Sequence, residues 1–159
     1  MPVRVVVTDA QSDRPVDPDR WGTLVQAVLE AEGVRGEAEL SLSFVGEAAI
    51  AELNERYLGH EGPTDVLSFP LEDGPPAPSA GADPARTPPV LLGDVVVCPE
   101  VAYRNAPDHT GTYEDELALL VVHGVLHVLG MDHEEPDEAD AMEAREQVLL
   151  ATHHHRKAP

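Results

Sequence analysis

The sequence predicts a single α+β domain, because of its length, an alternation of strand and helix patterns in its first half, and one long apolar helix near its end. The 159 residues suffice for one domain with a buried core and are too few for two ordinary domains. Hydrophobic residues make up 42% of the chain and aromatic residues only 4%, so the core is expected to be aliphatic. We predict one domain over residues 1–151 and a flexible, histidine-rich tail over 152–159.

The first half of the chain shows the order strand, helix, strand, helix. Residues 4–9 contain a valine run, which predicts a strand, and residues 39–45 alternate polar and apolar side chains, which predicts a second strand. Residues 47–58 return to helical spacing. The first helix is predicted over residues 18–32, with an inward face formed by Trp21, Leu24, Val25, Val28 and Leu29.

Two further strands are predicted on either side of a proline-rich segment. Residues 66–69 form a short apolar run behind a turn, and residues 91–98 form a longer valine-rich run that ends at the lone, buried Cys98. Between them, residues 72–89 contain so many prolines and small side chains that regular structure is not expected. We interpret 72–89 as a mobile loop inserted within the domain.

The second half is predicted to contain two helices. Thr112 with Asp115 three residues later predicts the start of a helix over 113–129 that is apolar nearly all round, and Gly130 is expected to end it in a left-handed turn. A last helix is predicted to open at Pro136, with Met142, Val148 and Leu149 facing inward.

The segment HGVLHVLGMDH carries the residues that most strongly indicate chemistry. His123 and His127 lie four residues apart, on one face of the predicted helix, and the break at Gly130 lets His133 approach the same point. Three imidazoles favour zinc, with other divalent transition metals possible, and three protein ligands are typical of catalytic rather than structural zinc sites. We therefore predict one Zn2+ ion on these three histidines.

The remaining histidines receive a different interpretation. His153, His154 and His155 form a consecutive run, which we interpret as a solvated tail or an adventitious metal binder. His60 and His109 fall in predicted loops without evident partners, so both are expected at the surface.

The histidine spacing also resembles the zinc-binding stretch of metzincin peptidases. Those enzymes carry a glutamate directly after the first histidine, where it serves as the general base. Gly124 occupies that position in this chain. A metallopeptidase is therefore the less favoured alternative.

Three blocks in the order GPTDVLSFP, LGDVVVCPEVA and HGVLHVLGMDH together resemble the YbeY family, bacterial rRNA maturation factors described as metal-dependent endoribonucleases. The resemblance implies an α+β fold with a small mixed sheet packed with helices, and a metal site on a central buried helix and the following turn. It also implies cleavage of single-stranded RNA in maturation of the small-subunit rRNA 3′ end and in ribosome quality control. The implied partners are single-stranded rRNA and the ribosome or its assembly factors.

One position departs from the family pattern. Many relatives carry an arginine, thought to bind or activate phosphate, where this chain has Leu58, and Arg56 is out of register on the helix. Arg104 is a candidate phosphate contact, with a surface salt bridge as the alternative interpretation. The catalytic residues therefore stay unassigned, and a non-cleaving ribosome-assembly factor with a structural metal is the second candidate function.

Several polar residues near the blocks are candidates for supporting roles. Thr64, Asp65 and Ser68 are candidates for lining the cleft that the resemblance implies beside the metal site, and Thr64-Asp65 could equally form a capping turn. Asp94 is a hypothetical partner of a ligand imidazole or of a backbone group. Asp132 and Glu134 flank His133 as possible proton acceptors or merely as solvated carboxylates.

The net charge of -20 argues against strong, non-specific nucleic-acid binding, and we expect no DNA partner. No run of residues approaches the roughly 20 apolar residues that span a bilayer, and the first residues do not resemble a signal peptide. We therefore expect a cytoplasmic protein without a membrane partner.

Overall fold

The elements alternate between strands and helices along the computed structural model, which describes residues 3–34, 37–70, 90–131 and 135–154. The strands are β1 (Arg4–Ala10), β2 (Ala38–Val45), β3 (Val66–Pro70) and β4 (Val90–Val97). The helices are α1 (Pro18–Ala31), α2 (Glu47–Leu53), α3 (Pro99–Asn105), α4 (Tyr113–Val128) and α5 (Pro136–His153). A π turn over Asn54–Leu58 continues α2, and a 3-10 turn over Ala106–Asp108 follows α3.

The four strands form one mixed sheet in the order β1-β2-β4-β3. β1 pairs with β2 and β2 with β4 in parallel, whereas β3 pairs with β4 antiparallel. The helical crossovers that parallel pairs require are supplied by the elements between the strands. This arrangement confirms the predicted α+β class and the small mixed sheet.

The core lies between the sheet and helices α1 and α4. β2 alternates strictly, so that Ala38, Leu40, Leu42 and Phe44 are buried while the residues between them are only partly covered. All five apolar residues predicted for the inward face of α1 are at most 5% exposed. Together with buried residues of α4 and β4, these side chains form one core cluster.

Helix α4 is nearly the helix predicted from the sequence. Its N-cap is Thr112, whose Oγ1 accepts a hydrogen bond from the Asp115 backbone N–H at 3.1 Å. Its buried residues face several directions, as expected for a central helix. After the helix, Gly130 has φ 104°, the left-handed conformation predicted for the residue that ends it.

The structure differs from the sequence prediction in three places. Helix α3 was not predicted, because it has only seven residues and directly follows β4. Val148 was predicted to face inward but is 52% exposed, whereas Met142 and Leu149 are buried as predicted.

The third difference concerns the boundary of the predicted tail at 152–159. Helix α5 continues to His153, and the His154 side chain is only 8% exposed, with its Nε2 2.8 Å from Asp115 Oδ1. The interpretation of His153 and His154 as a solvated tail is therefore wrong. His153 is the last residue of α5, and His154 contacts Asp115 in the first turn of α4. Residues 155–159 and the predicted loop at 72–89 lie outside the described residues.

Within the described part of the chain, no helix is both long and apolar enough to cross a membrane.

Candidate metal centre

His123 and His127 form a stacked pair on one face of α4. Their ring centroids are 6.4 Å apart and their planes differ by only 5°. The spacing of four residues places both rings on the same side of the helix, one turn apart. The sequence prediction that these two side chains share a face is confirmed.

Each of these rings is held through its Nδ1 atom. Nδ1 of His123 lies 2.6 Å from Oε1 of Glu146 on α5, and Nδ1 of His127 lies 3.0 Å from the backbone oxygen of Met131. A carbonyl oxygen and an ionised carboxylate only accept hydrogen bonds, so Nδ1 is the donor in both rings. The neutral tautomer then carries its lone pair on Nε2 in both rings, as metal-ligating histidines require.

The donor set therefore fits a divalent transition metal. His133, the third predicted ligand, lies outside the described residues, as do Asp132 and Glu134. Among the described residues alone, no group of three or more histidine, cysteine, aspartate or glutamate side chains is arranged to hold a metal ion. The role of His133 stays a prediction.

Gly124 fits its position because a side chain there has no room. A Cβ atom on Gly124 would lie 2.5 Å from Cγ1 of the buried Val95 and 3.3 Å from Oγ of Ser68. Ser68 also donates a hydrogen bond to the Gly124 carbonyl at 3.1 Å, which fixes α4 against β3. A glutamate at this position would have to displace the buried Val95 side chain, so the packing disfavours the general base of the peptidases here.

A cleft of about 600 Å³ opens beside His123. Its polar lining includes Asp65, His109, Glu143 and Glu146. Asp65 lines the cleft, the first of the two roles considered for it, and its backbone oxygen accepts from the Cys98 N–H at 2.9 Å, which extends the pairing of β3 with β4. The cleft thus lies between the turn before β3 and helices α4 and α5.

Asp94 supports neither of the two described imidazoles, since Nδ1 of His123 is held by Glu146 and Nδ1 of His127 by the Met131 carbonyl. Its side chain is exposed on β4, and the carboxylate that holds His123 is Glu146 instead. Support of His133 by Asp94 stays a hypothesis, because His133 lies outside the described residues. A sequence signal for Glu146 was present, because Met142, Glu146 and Leu149 recur at helical spacing and all three are at most 7% exposed.

The arginines near the family blocks contact protein groups. Arg104 forms an ion pair with Glu47 at 3.1 Å, which agrees with the surface salt bridge considered from the sequence. Arg56 lies over the ring of Tyr57 at 5.7 Å, and Leu58 is 52% exposed. Neither arginine lines the cleft described above.

His60 and His109 are both exposed, as predicted, but His109 has a partner that the sequence did not reveal. Its Nδ1 lies 2.9 Å from both carboxylate oxygens of Glu116, a residue that is only 1% exposed. The expectation that His109 lacks a partner is therefore wrong.

Cys98 is fully buried, as predicted, and burial raises the pKa of its thiol. A buried thiol held in its protonated form is a poor nucleophile, which agrees with a structural role.

Comparison with known proteins identifies a family whose members this chain resembles. The family described as Endoribonuclease YbeY matches residues 6–154. A curated Endoribonuclease YbeY from Moorella thermoacetica is 46% identical over 91% of this chain and 94% of its own length, and one from Beutenbergia cavernae is 44% identical over 91% and 95%. The solution structure of TM1509 from Thermotoga maritima superimposes with a TM-score of 0.57 at 25% identity, covering 94% of this chain and 90% of that chain.

Proposed function

Because the chain belongs to the endoribonuclease YbeY family, we propose that it is a metal-dependent endoribonuclease that cleaves single-stranded RNA in the cleft beside His123. The observation that carries this proposal is the stacked pair of His123 and His127, with both rings held through Nδ1. The membership agrees with the family identified from the three sequence blocks.

We propose Zn2+ as the metal and His123, His127 and His133 as its ligands. When bound, such an ion supplies Lewis acidity toward a phosphoryl oxygen and a water whose pKa is lowered to about 7. The chain itself orients the ligands: Glu146 and the Met131 carbonyl fix the two described imidazoles. Gly124 and Ser68 hold α4 close to the sheet, so that this face of the helix keeps one position relative to the cleft.

The biological substrate that we propose is the 3′ end of small-subunit rRNA, with a further role in ribosome quality control. Single-stranded rRNA and the ribosome or its assembly factors would be the partners, and the cytoplasm the compartment. The net charge of -20 supports a specific substrate held at one local site rather than general affinity for nucleic acid.

A ribosome-assembly factor whose metal only stabilises the fold is the second candidate function. It is favoured by Leu58 at the position of the family arginine and by the engagement of Arg104 with Glu47. Under this alternative the protein binds RNA or ribosomal particles without cutting them.

The first test compares metal-loaded wild type with His127→Ala on a labelled single-stranded precursor of the rRNA 3′ end. Metal content is measured by mass spectrometry and folding by circular dichroism in both samples. His60→Ala serves as the matched control, because His60 is an exposed histidine outside the cleft lining. We expect wild type and His60→Ala to cleave, and folded His127→Ala to lose metal and cleavage together.

Two other outcomes contradict this expectation in different ways. Equal cleavage by all three proteins would identify a contaminating nuclease. A wild type that holds zinc and binds the precursor without cutting it would establish the assembly-factor alternative.

A further inference from the structure

We propose that His109 is a second RNA-binding residue of the cleft, where its imidazole, held by the buried carboxylate of Glu116, donates a hydrogen bond to a phosphate of single-stranded RNA. The inference deepens the proposed function and rests on RNA as the substrate of this cleft. It does not require that the RNA be cut.

The first support is the construction of the His109 pair. Glu116 is only 1% exposed, and its carboxylate accepts from Nδ1 of His109 at 2.9 Å and from Oγ1 of Thr110 at 2.8 Å. The His109 side chain is nevertheless 59% exposed. Because the buried carboxylate engages Nδ1, the exposed edge of the ring carries Nε2, which donates a hydrogen bond when the ring is protonated, since both ring nitrogens are then donors.

The second support is the position of this pair along α4. Glu116, His123 and His127 are separated by seven and four residues, so they share one face of the helix. Seven residues correspond to a rise of about 10 Å between Glu116 and His123. His109 therefore lies along the same cleft as His123 but at a distance that suits a different phosphate of one strand.

The third support is the charge of the cleft. Among the described residues that line it, none is lysine or arginine, whereas Asp65, Glu143 and Glu146 are carboxylates. Away from the predicted metal, a phosphate entering this acidic cleft needs a further cationic donor, and an imidazolium is one. Among the described residues, His109 and the predicted metal ligand His123 are the histidines that line the cleft.

A purely structural role for His109 makes a different prediction. Under that alternative the imidazole only donates a hydrogen bond to the buried Glu116 carboxylate, and its Nε2 does not contact RNA. Replacement by asparagine separates the two roles, because the asparagine amide nitrogen takes the place of Nδ1 and nothing replaces Nε2.

The test measures binding of a labelled single-stranded 2′-O-methyl RNA to the metal-loaded full chain by fluorescence anisotropy. Titrations are run at about pH 6, where an ordinary histidine is mostly charged, across a series of salt concentrations. The variants are His109→Asn and, as a matched control, His153→Asn, since His153 lines a different groove beside Arg20 and Trp21. Metal content, thermal unfolding and RNA integrity are checked for every sample.

We expect His109→Asn to fold like wild type and to bind about 10-fold more weakly at low salt. The slope of log K against log salt should become shallower by about 0.7, the value for one lost phosphate contact on a single strand. His153→Asn should keep the affinity and slope of wild type.

Wild-type affinity and salt slope in folded His109→Asn would overturn the inference, as would a wild type that does not bind the RNA. If wild type binds in a His109-dependent way but never cuts unmodified RNA, the inference stands and the proposed cleavage fails. RNA binding by His109 and cleavage of RNA can therefore be refuted independently of each other.

Discussion

The two ends of α4 each hold an imidazole against a carboxylate, but they are built differently. Near the C-terminal end, the ring of His123 is 30% exposed and its partner Glu146 comes from a separate helix. Near the N-terminal end, the ring of His109 is 59% exposed and its partner Glu116 belongs to α4 itself. The first pair depends on the docking of α5, whereas the second is formed within one short stretch of chain.

The contacts that α4 makes with the rest of the protein also differ between its two ends. Near His123, Gly124 lies directly against β4, which leaves no space for a side chain. The first turn of α4 is held instead by polar contacts, including the Tyr113 hydroxyl, which donates to the Pro15 carbonyl at 3.0 Å. At the predicted metal end, close packing thus acts together with hydrogen bonds, so this end should be sensitive both to side-chain volume and to the loss of a hydrogen-bond partner.

The largest effect is expected from Glu146→Gln, which weakens the support of His123. Loss of a carboxylate that orients a ligand imidazole typically lowers metal affinity about 10- to 100-fold. Zinc affinity measured by competition with a chromophoric chelator checks this expectation. Glu143→Gln is the matched control, because Glu143 is an exposed carboxylate of the same helix that lines the same cleft.

Equal loss of zinc affinity in both glutamine variants would mean that the total negative charge of the cleft, rather than the bond between Glu146 and His123, sets the affinity.

A smaller effect is expected from Gly124→Ala, which tests the close packing against Val95. Overpacking lowers the free energy of unfolding by about 1–3 kcal/mol. Alanine is a better helix former than glycine, which raises it by about 1 kcal/mol. We therefore expect a net loss of about 1 kcal/mol in the free energy of unfolding. Urea unfolding measures it. The control is Gly22→Ala in α1, where the added Cβ would meet Val7 Cγ2 at a milder 3.1 Å.

Gly124→Ala should lower the free energy of unfolding less in a Val95→Ala background than in wild type, because Val95→Ala removes the Cγ1 atom that clashes with the added Cβ. Strictly additive effects in this double-mutant cycle would show that the two positions do not interact.

The smallest effect is a loss of stability at high pH, caused by ionisation of Tyr113 in the first turn of α4. Burial is the main cause that raises the pKa of Tyr113 to about 12. Since the ordinary value is about 10, the contribution of this tyrosine to stability is fully present below about pH 10 and is lost as the pH rises through about 12. After allowance for solvent screening at this half-buried ring, we expect a loss of about 0.5 kcal/mol.

Unfolding free energies of wild type and Tyr113→Phe between pH 9 and the onset of alkaline denaturation check this expectation. Tyr113→Phe should lose part of the pH dependence, while Tyr57→Phe, at a side chain that is 58% exposed, should keep it. An unchanged slope in Tyr113→Phe would contradict the prediction.

The elements that were predicted correctly are those with local signals. Thr112 and Gly130 mark the two ends of α4 through a capping side chain and a left-handed turn, and both signals are read within a few residues. The spacing of His123 and His127 likewise needs only the helix repeat.

The features that were missed depend on contacts between distant segments. Glu146 lies 23 residues from His123, and only the docking of α5 shows that its carboxylate meets the ring. The wrong inward assignment of Val148 has the same origin, since an apolar residue was preferred to a glutamate for the buried face of α5. The His109 pair was missed because a bend, rather than a regular repeat, brings it to Glu116.

The parallel pairing of β2 with β4 has a consequence for the rate at which the chain folds. Leu42 is aligned with Val95, so the centre of the sheet joins segments more than 50 residues apart, and the ends of this long loop must meet before their contacts stabilise anything. Chains dominated by such distant pairings fold more slowly than helical bundles. Because Gly124 rests on Val95, we expect the histidine face of α4 to reach its final position only after β2 and β4 have paired.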